Sequence, residues 1–470
     1  MYDRIRWGVL QGYQSNGIGI ASAWMPDVTE WIAGSSSAFK FLRGNGIGRG
    51  IEGHMNLPKM YRLRQNFDNT SVTDIPKTVQ AELHKLSWNE IQPGHSVAIA
   101  AGSRGIANIA EVLKSVAAFF KSLDTRPFIF PAMGSHGGAT AKGQTAVLAE
   151  LGVTESYVQA PIVSSMAVQQ IGLTDDEVPV LVDENALGAN HIFIVNRIKS
   201  HTKFKASIES GLMKMMAIGL GNHKGAAYYH KAAVQHTFPK IIRDAARLVL
   251  QKTPVIGALG IVENGYGVTA RIAALKPAEI ENNEKKLLSL SKKLMAKLPF
   301  NKIDLLIVDE MGKDISGVGM DPNITGRNRD LLGVFSHPAR VKRIFVRDLT
   351  DQSKGNAIGI GLADLTTQRL VDKIDTAATY KNCITGISLE KGAIPMYFAN
   401  DREAIEVALD SIGLIPSRMS KIVRIKNTLQ LEIVGVSESY MEEPHPRNDV
   451  KILKGPEPME FDRNNNLLPL

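Results

Sequence analysis

Histidines and lysines crowd one stretch of this chain. Of eleven histidines, His191, His201, His223, His230 and His236 fall within residues 191–236. Residues 197–252 carry eleven Lys and Arg against two acids, Glu209 and Asp244, a net of +9, while the whole chain of 470 residues carries only +8. A field so local suits a small anion, either a phosphate or a carboxylate. Imidazoles titrate near neutral pH, so they can exchange protons with a substrate or hold a metal. His223, His230 and His236 could form a zinc site, although no HExxH spacing is present. Gly211, Gly219, Gly221 and Gly225 permit close backbone approach to a bound group. The plain alternatives are a solvated basic surface, or a non-catalytic nucleotide- or phosphosugar-binding protein in which the histidines do no chemistry.

Two further residues carry chemistry upstream. Arg104 stands in GSRG and His136 in GSHGG, each just after a short apolar run. Those runs, Ser96–Ala100 and Pro127–Pro131, read as buried strands, as does His191–Asn196, which precedes His201. The spacing predicts helices over Ala107–Leu123 and Thr140–Leu151, a strand at Val178–Val182, and a helix over Pro239–Gln251. Strands near Val255–Val262 and Val268–Ala274 close this half. Strand, loop and helix recur, which predicts a mostly parallel α/β sheet. In such sheets the loops at the carboxyl ends of strands hold ligands, and Arg104, His136 and His201 all fall in such loops. An arginine at a helix N-terminus adds a bidentate fork to the anion-binding amides there.

Composition narrows the class. Hydrophobic content of 44% supports real cores, and no apolar run of 18 residues is present to span a membrane. A single cysteine, Cys383, excludes a disulfide framework, a cysteine zinc site and an iron–sulfur cluster. Few cysteines and no signal-like N-terminus point to the cytoplasm. The sequence pI near 9.2 raises nucleic acid as a partner, but the charge is local and aromatics are 6%, which argues against it.

The expected organisation is two α/β domains with the site in the cleft between them. Residues 1–54, rich in Gly and Ser, are expected to form a poorly ordered extension, with Met55 an alternative start. Residues 55–276 form the first domain, in which Ile75–Leu86 is a short helix. The polar helix Ala278–Lys297 lies in the connecting segment 277–300. The second domain spans 301–440, with strands at Ile303–Val308, Arg343–Val346 and Ala393–Phe398 and helices near Thr366–Thr379 and Arg402–Ser411. Its loop Glu310–Arg327 has the composition of a binding loop, with Lys313, Asp314, Asp321, Asn323 and Arg327. The tail 441–470 is expected to be loosely held.

Taken in order, Arg104, His136, His201, a lysine and a later histidine resemble the nickel-pincer lactate racemase family, from about Leu57 to Arg271. That resemblance implies a substrate-binding role for Arg104 and catalytic roles for His136 and His201. It implies a nickel-bearing pyridinium mononucleotide joined to Lys214 of GLMKMM, with Ser103 and Gly219 contributing to its binding. His230 of AYYH, sixteen positions beyond Lys214, would be the metal ligand, with His223 and Lys224 as close rivals for these roles. The implied reaction is racemisation or epimerisation of a small-molecule 2-hydroxy acid through reversible removal of hydride from Cα, and the implied partners are the enzymes that make the cofactor. The longer stretch Thr202–Met213, and the lack in Gly317–Arg327 of the family's lactate-holding Gln and Lys, leave a sugar acid or a hydroxy dicarboxylate as alternative substrates.

Overall fold

Strands in this chain fall into two large sheets and one two-stranded antiparallel pair. In the computed structural model, which describes residues 55–102, 105–331, 335, 337–441 and 449–470, the strands run in chain order. They are β1 (Met60–Gln65), β2 (Ser96–Ala101), β3 (Arg126–Pro131), β4 (Val168–Leu173), β5 (Pro179–Asp183), β6 (His191–Arg197), β7 (Val255–Glu263) and β8 (Thr269–Leu275). Then follow β9 (Lys302–Val308), β10 (Arg340–Val346), β11 (Leu365–Thr367), β12 (Met396–Phe398), β13 (Ile422–Ile425), β14 (Ile433–Ser437) and β15 (Val450–Glu457). Residues 1–54, Ser103 and Arg104 lie outside the described residues.

The first sheet has the order β3-β2-β6-β7-β8. Its first four strands are parallel, and β8 returns antiparallel to β7. Strands β2 and β6 are apolar on both faces because both faces are covered. Ala98, Ala100, Ile192 and Ile194 pack into one core, and Val97, Ile99, Phe193 and Val195 into the other, alternating along each strand. Helix Ile109–Lys121 crosses from β2 to β3 and buries Ile109, Val112, Leu113, Val116 and Phe120, the helical stripe that its sequence spacing predicted. The α/β class with mostly parallel sheets therefore holds.

The second sheet has the order β12-β11-β10-β9-β13-β14-β1-β15. Its first five strands are parallel, and the antiparallel β14, β1 and β15 extend it. Strand β1 comes from the segment assigned by sequence to the other half, so the chain crosses between the sheets at its start and again after β8. Residues Met55–Leu470 cluster as one compact unit.

Three expectations need correction. Helix Ile280–Leu294 is no bare connector: it buries Ile280, Glu284, Leu288, Ser291 and Leu294, and Leu287 meets Gly260 of β7. Its apolar stripe is narrow, so charged residues dominate the sequence there. The helix expected over Thr366–Thr379 is instead strand β11 followed by helices Gln368–Asp372 and Thr376–Thr385. Asp375 breaks the run because its side chain caps the second helix at Ala378 N. Within the tail, β15 pairs with β1, Leu467 is buried, and Arg347 and Arg424 donate to the carbonyls of Leu467 and Leu468. Among the described residues no helix is long and apolar enough to cross a membrane.

Candidate active site

The loop after β6 is fixed before it does anything else. Lys199 and Ser210 exchange backbone hydrogen bonds of 2.8 and 3.2 Å, closing the excursion 199–210. Glu209, fully buried, accepts from the backbone N–H of His201 at 2.7 Å and of Ala206 at 3.1 Å, and pairs with Lys292 Nζ at 2.6 Å. One of the two acids in the basic window is thus an internal clamp. The His201 ring stacks on Phe204 at 4.3 Å between centroids. Its Nδ1 accepts the Lys203 backbone N–H at 3.1 Å, which leaves the proton of a neutral ring on Nε2.

Lys203 and Lys205 tie this loop to the second sheet's connections. Lys203 Nζ donates to the Gly386 carbonyl and, at 2.7 Å, to Ser388 Oγ, and it lies 3.6 Å from the Asp330 carboxylate. Asp330 also takes Lys391 Nζ at 2.7 Å and Ser388 Oγ at 3.0 Å, and the side chains of Asp330 and Lys391 have no exposure. Burial pushes the Lys203 amine down to about 8, against the pull of Asp330. Lys205 donates to Asn323 Oδ1, and Asn323 Nδ2 donates to the His201 carbonyl at 3.2 Å.

Lys214 ends the short helix Leu212–Lys214 and runs directly into a π-helical turn, Met215–Gly219. Such turns cluster at functional sites. Glu284 Oε2 accepts the Met213 backbone N–H at 2.8 Å, and burial raises that carboxyl to about 7. Residue 211 has to be glycine, because a Cβ there would collide with the Glu284 carboxylate. Gly219 has a packing reason of its own: a Cβ would lie 2.6 Å from the Ala132 carbonyl oxygen.

His230 sits on helix Asn222–His236 with its ring edge-on to Phe238 at 4.9 Å, and the His201 ring lies 6.3 Å from the same phenyl group. Burial, then the charges of Lys203 and Lys214, hold the His230 imidazole down at about 3, so it is neutral at physiological pH. Its Nδ1 is buried without a hydrogen-bond partner among the described residues. Lys214, His230, Lys203, Asp330, Phe238 and His201 therefore form one cluster.

His136 lies at the carboxyl end of β3, half-buried, with its N–H donating to the Met133 carbonyl at 3.3 Å. Its loop packs against the helix that carries His230, because the Cβ position of Gly134 (φ 60°) is 3.4 Å from Ala226 Cβ. Strand β2 alone separates β3 from β6, so His136 and His201 leave the same sheet edge two strands, roughly 10 Å, apart.

Other sequence candidates are placed elsewhere. His223 and Lys224 are exposed at the start of their helix, and His236 faces Asp176 at 3.5 Å. Among the described residues no three His, Cys, Asp or Glu side chains gather as a metal site, so the triple-histidine zinc reading finds no geometry. In the loop 310–327, Asn323 reaches the cluster, whereas Lys313 donates to Asn382 and Gly317, and Arg327 pairs with Asp364. Lys203, Asp330, Lys391, Ser388, Phe238, Glu209 and Glu284 were not singled out from sequence. Only Lys203, two positions beyond His201, had a local signal.

The chain matches no protein-family model and no curated sequence. Among solved structures it is similar to the lactate racemase apoprotein from Thermoanaerobacterium thermosaccharolyticum, with a TM-score of 0.49 and 13% identity, covering 77% of this chain and 93% of that one. It is also similar to a protein from Thermotoga maritima, with a TM-score of 0.46 and 12% identity, covering 76% of this chain and 96% of that one.

Proposed function

We propose that this cluster is the active site of a racemase or epimerase of a 2-hydroxy acid that works with a lysine-tethered, nickel-bearing pyridinium mononucleotide. The observation that carries the reading is His230: a buried, neutral imidazole with an unpartnered Nδ1, beside the amine of Lys214. A neutral imidazole is a good nickel ligand, and an orphaned buried nitrogen is costly unless something binds it. Lys214 is the tether and His230 the metal ligand; the π turn between them sets the lysine's direction. When bound, the group supplies reversible acceptance of hydride.

The chain's own residues do the rest. Removing the Cα proton of a 2-hydroxy acid directly is hard, because that proton is very weakly acidic. His136 and His201 instead move the hydroxyl proton, one as base and the other as acid, from opposite sides of a planar keto acid. The Nδ1 contact of His201 puts the neutral ring's proton on Nε2. Arg104 is assigned the substrate carboxylate. A longer, doubly anionic substrate is the second reading, favoured by buried Lys203 and half-buried Lys205 on the same loop.

The test is chiral chromatography of enantiopure 2-hydroxy acids incubated with protein made alongside the cofactor-producing enzymes. Racemisation of at least one acid, slowed about 100-fold or more by His201→Ala, is expected. Absence of turnover on every acid by cofactor-loaded protein would overturn the reading.

A further inference from the structure

A second site lies away from the histidines. In the eight-stranded sheet the chain leaves β9 for β10, β11 and β12 on one side, then returns to place β13 on the other. The connections diverge at the carboxyl ends of β9 and β13, and open α/β sheets bind their ligands at such a reversal. A cavity of about 1230 Å³ opens there, lined by residues that follow β9 (Asp309, Glu310), β10 (Arg347, Asp348) and β13 (Lys426). His201, Lys214 and His230 are not among its walls.

The floor is already satisfied. Arg347 pairs with Asp309 at 2.9 Å and with Asp401 at 2.7 Å, and Arg424 grips Asp309 at 2.8 and 2.9 Å. These side chains are held rigid and offer a ligand little. The rim is different. Arg62 is exposed and makes no ion pair among the described residues, and Lys426 lies 3.9 Å from its nearest acid, Glu310. In the same lining, Tyr266 presents a ring that is 40% exposed and braced edge-on by Phe67 at 5.4 Å. The carboxylates of Asp348 and Asp351 stand at the end of β10, near Lys373. Two loosely held cations suit a phosphate, an exposed braced aromatic suits a flat ring, and strand-end carboxylates suit sugar hydroxyls. A bare metal ion fits poorly, since the carboxylates are shared out among arginines and lysines.

We propose that this crevice binds a nucleotide, with Arg62 and Lys426 on its phosphates and Tyr266 against its base. The inference is independent of the function proposed for the histidine cluster.

Isothermal titration calorimetry of the full chain with AMP, ADP, NAD and inorganic phosphate tests it. At least one nucleotide is expected to bind, about tenfold or more weakly in Arg62→Glu/Lys426→Glu and about fivefold more weakly in Tyr266→Ala. His230→Ala is expected to leave that binding unchanged. If the double variant does not fold, Lys426→Glu alone is expected to weaken binding about threefold and Tyr266→Ala about fivefold, and unchanged binding in both overturns the proposal. It is equally overturned if none of the three nucleotides binds. Binding lost in His230→Ala but kept in Lys426→Glu assigns the ligand to the histidine cluster instead. Phosphate that binds as tightly as any nucleotide, with Tyr266→Ala silent, removes the base from the proposal and overturns it too.

Discussion

Substituting Asp330 by asparagine keeps the shape of the cluster and removes the carboxylate that Lys203, Lys391 and Ser388 share. The side chains of Asp330 and Lys391 have no exposure and lie 2.7 Å apart, and Lys203 stands 3.6 Å away with 8% exposure. Breaking a buried pair by removing one partner costs about 3–5 kcal/mol, because the remaining charge has no compensation. Lys203 can escape part of that cost. Its folded pKa of about 8 lies below the ordinary 10.5, so losing its proton at pH 7 costs only about 1.4 kcal/mol. The sign follows: Asp330 favours the protonated amine, so its loss hurts most below pH 8, where that amine carries its charge. The penalty shrinks towards pH 9–10, where the wild-type amine is already neutral. Urea unfolding at pH 7 and pH 9.5, read as a midpoint shift at constant slope, measures both. Asp330→Asn is expected to lose about 3 kcal/mol or more at pH 7 and clearly less at pH 9.5. Replacing Lys391 by methionine in the same chain is expected to restore most of the loss. A loss under about 1 kcal/mol, or one identical at both pH values, would refute the reasoning.

Other outcomes follow from the same geometry. Glu284 titrates near 7 when folded against 4.5 in water, so the folded state holds a proton that the unfolded state releases. Stability therefore falls by about 3 kcal/mol as pH rises from about 4.5 through 7, and Glu284→Gln is expected to flatten that slope in thermal unfolding; an unchanged slope would place the proton elsewhere. Gly219→Ala puts a methyl against the Ala132 carbonyl and is expected to cost about 1–3 kcal/mol by urea unfolding, whereas a neutral result would free Gly219 from its packing role. His230→Ala is expected to abolish nickel in protein made beside the cofactor pathway, measured by plasma mass spectrometry, while leaving the circular dichroism intact. Retained nickel would shift the ligand to another side chain.

The parallel strands were legible because strands covered on both faces are written as short unbroken apolar runs; SVAIAA and HIFIVNR are read almost residue for residue. The strands on the antiparallel side were not: β1 (MYRLRQ) keeps one face exposed, β15 (VKILKGPE) is exposed on both, and each carries as many charges as a loop does. The site divides in the same way. Residues that follow a buried strand, His136 among glycines and His201 in a basic run, declare themselves. Asp330, Ser388 and Lys391 become part of the site only because Lys203 reaches across to a different sheet, and a contact between distant segments leaves no local pattern. The π turn after Lys214 was equally hidden, since a wider helical turn has no residue signature of its own. Glu284 was hidden by the charge of its helix, where nothing in the sequence sets it apart from Glu281, which pairs with surface cations.

The central claim is that Lys214 carries a covalently bound, nickel-bearing mononucleotide beside His230. Peptide mass mapping of the chain, produced together with the cofactor-making enzymes, tests this directly. An added mass on the peptide containing Lys214, absent from Lys214→Ala, is the expected result. An unmodified Lys214 in that preparation, or an adduct on Lys224 in its place, would contradict it.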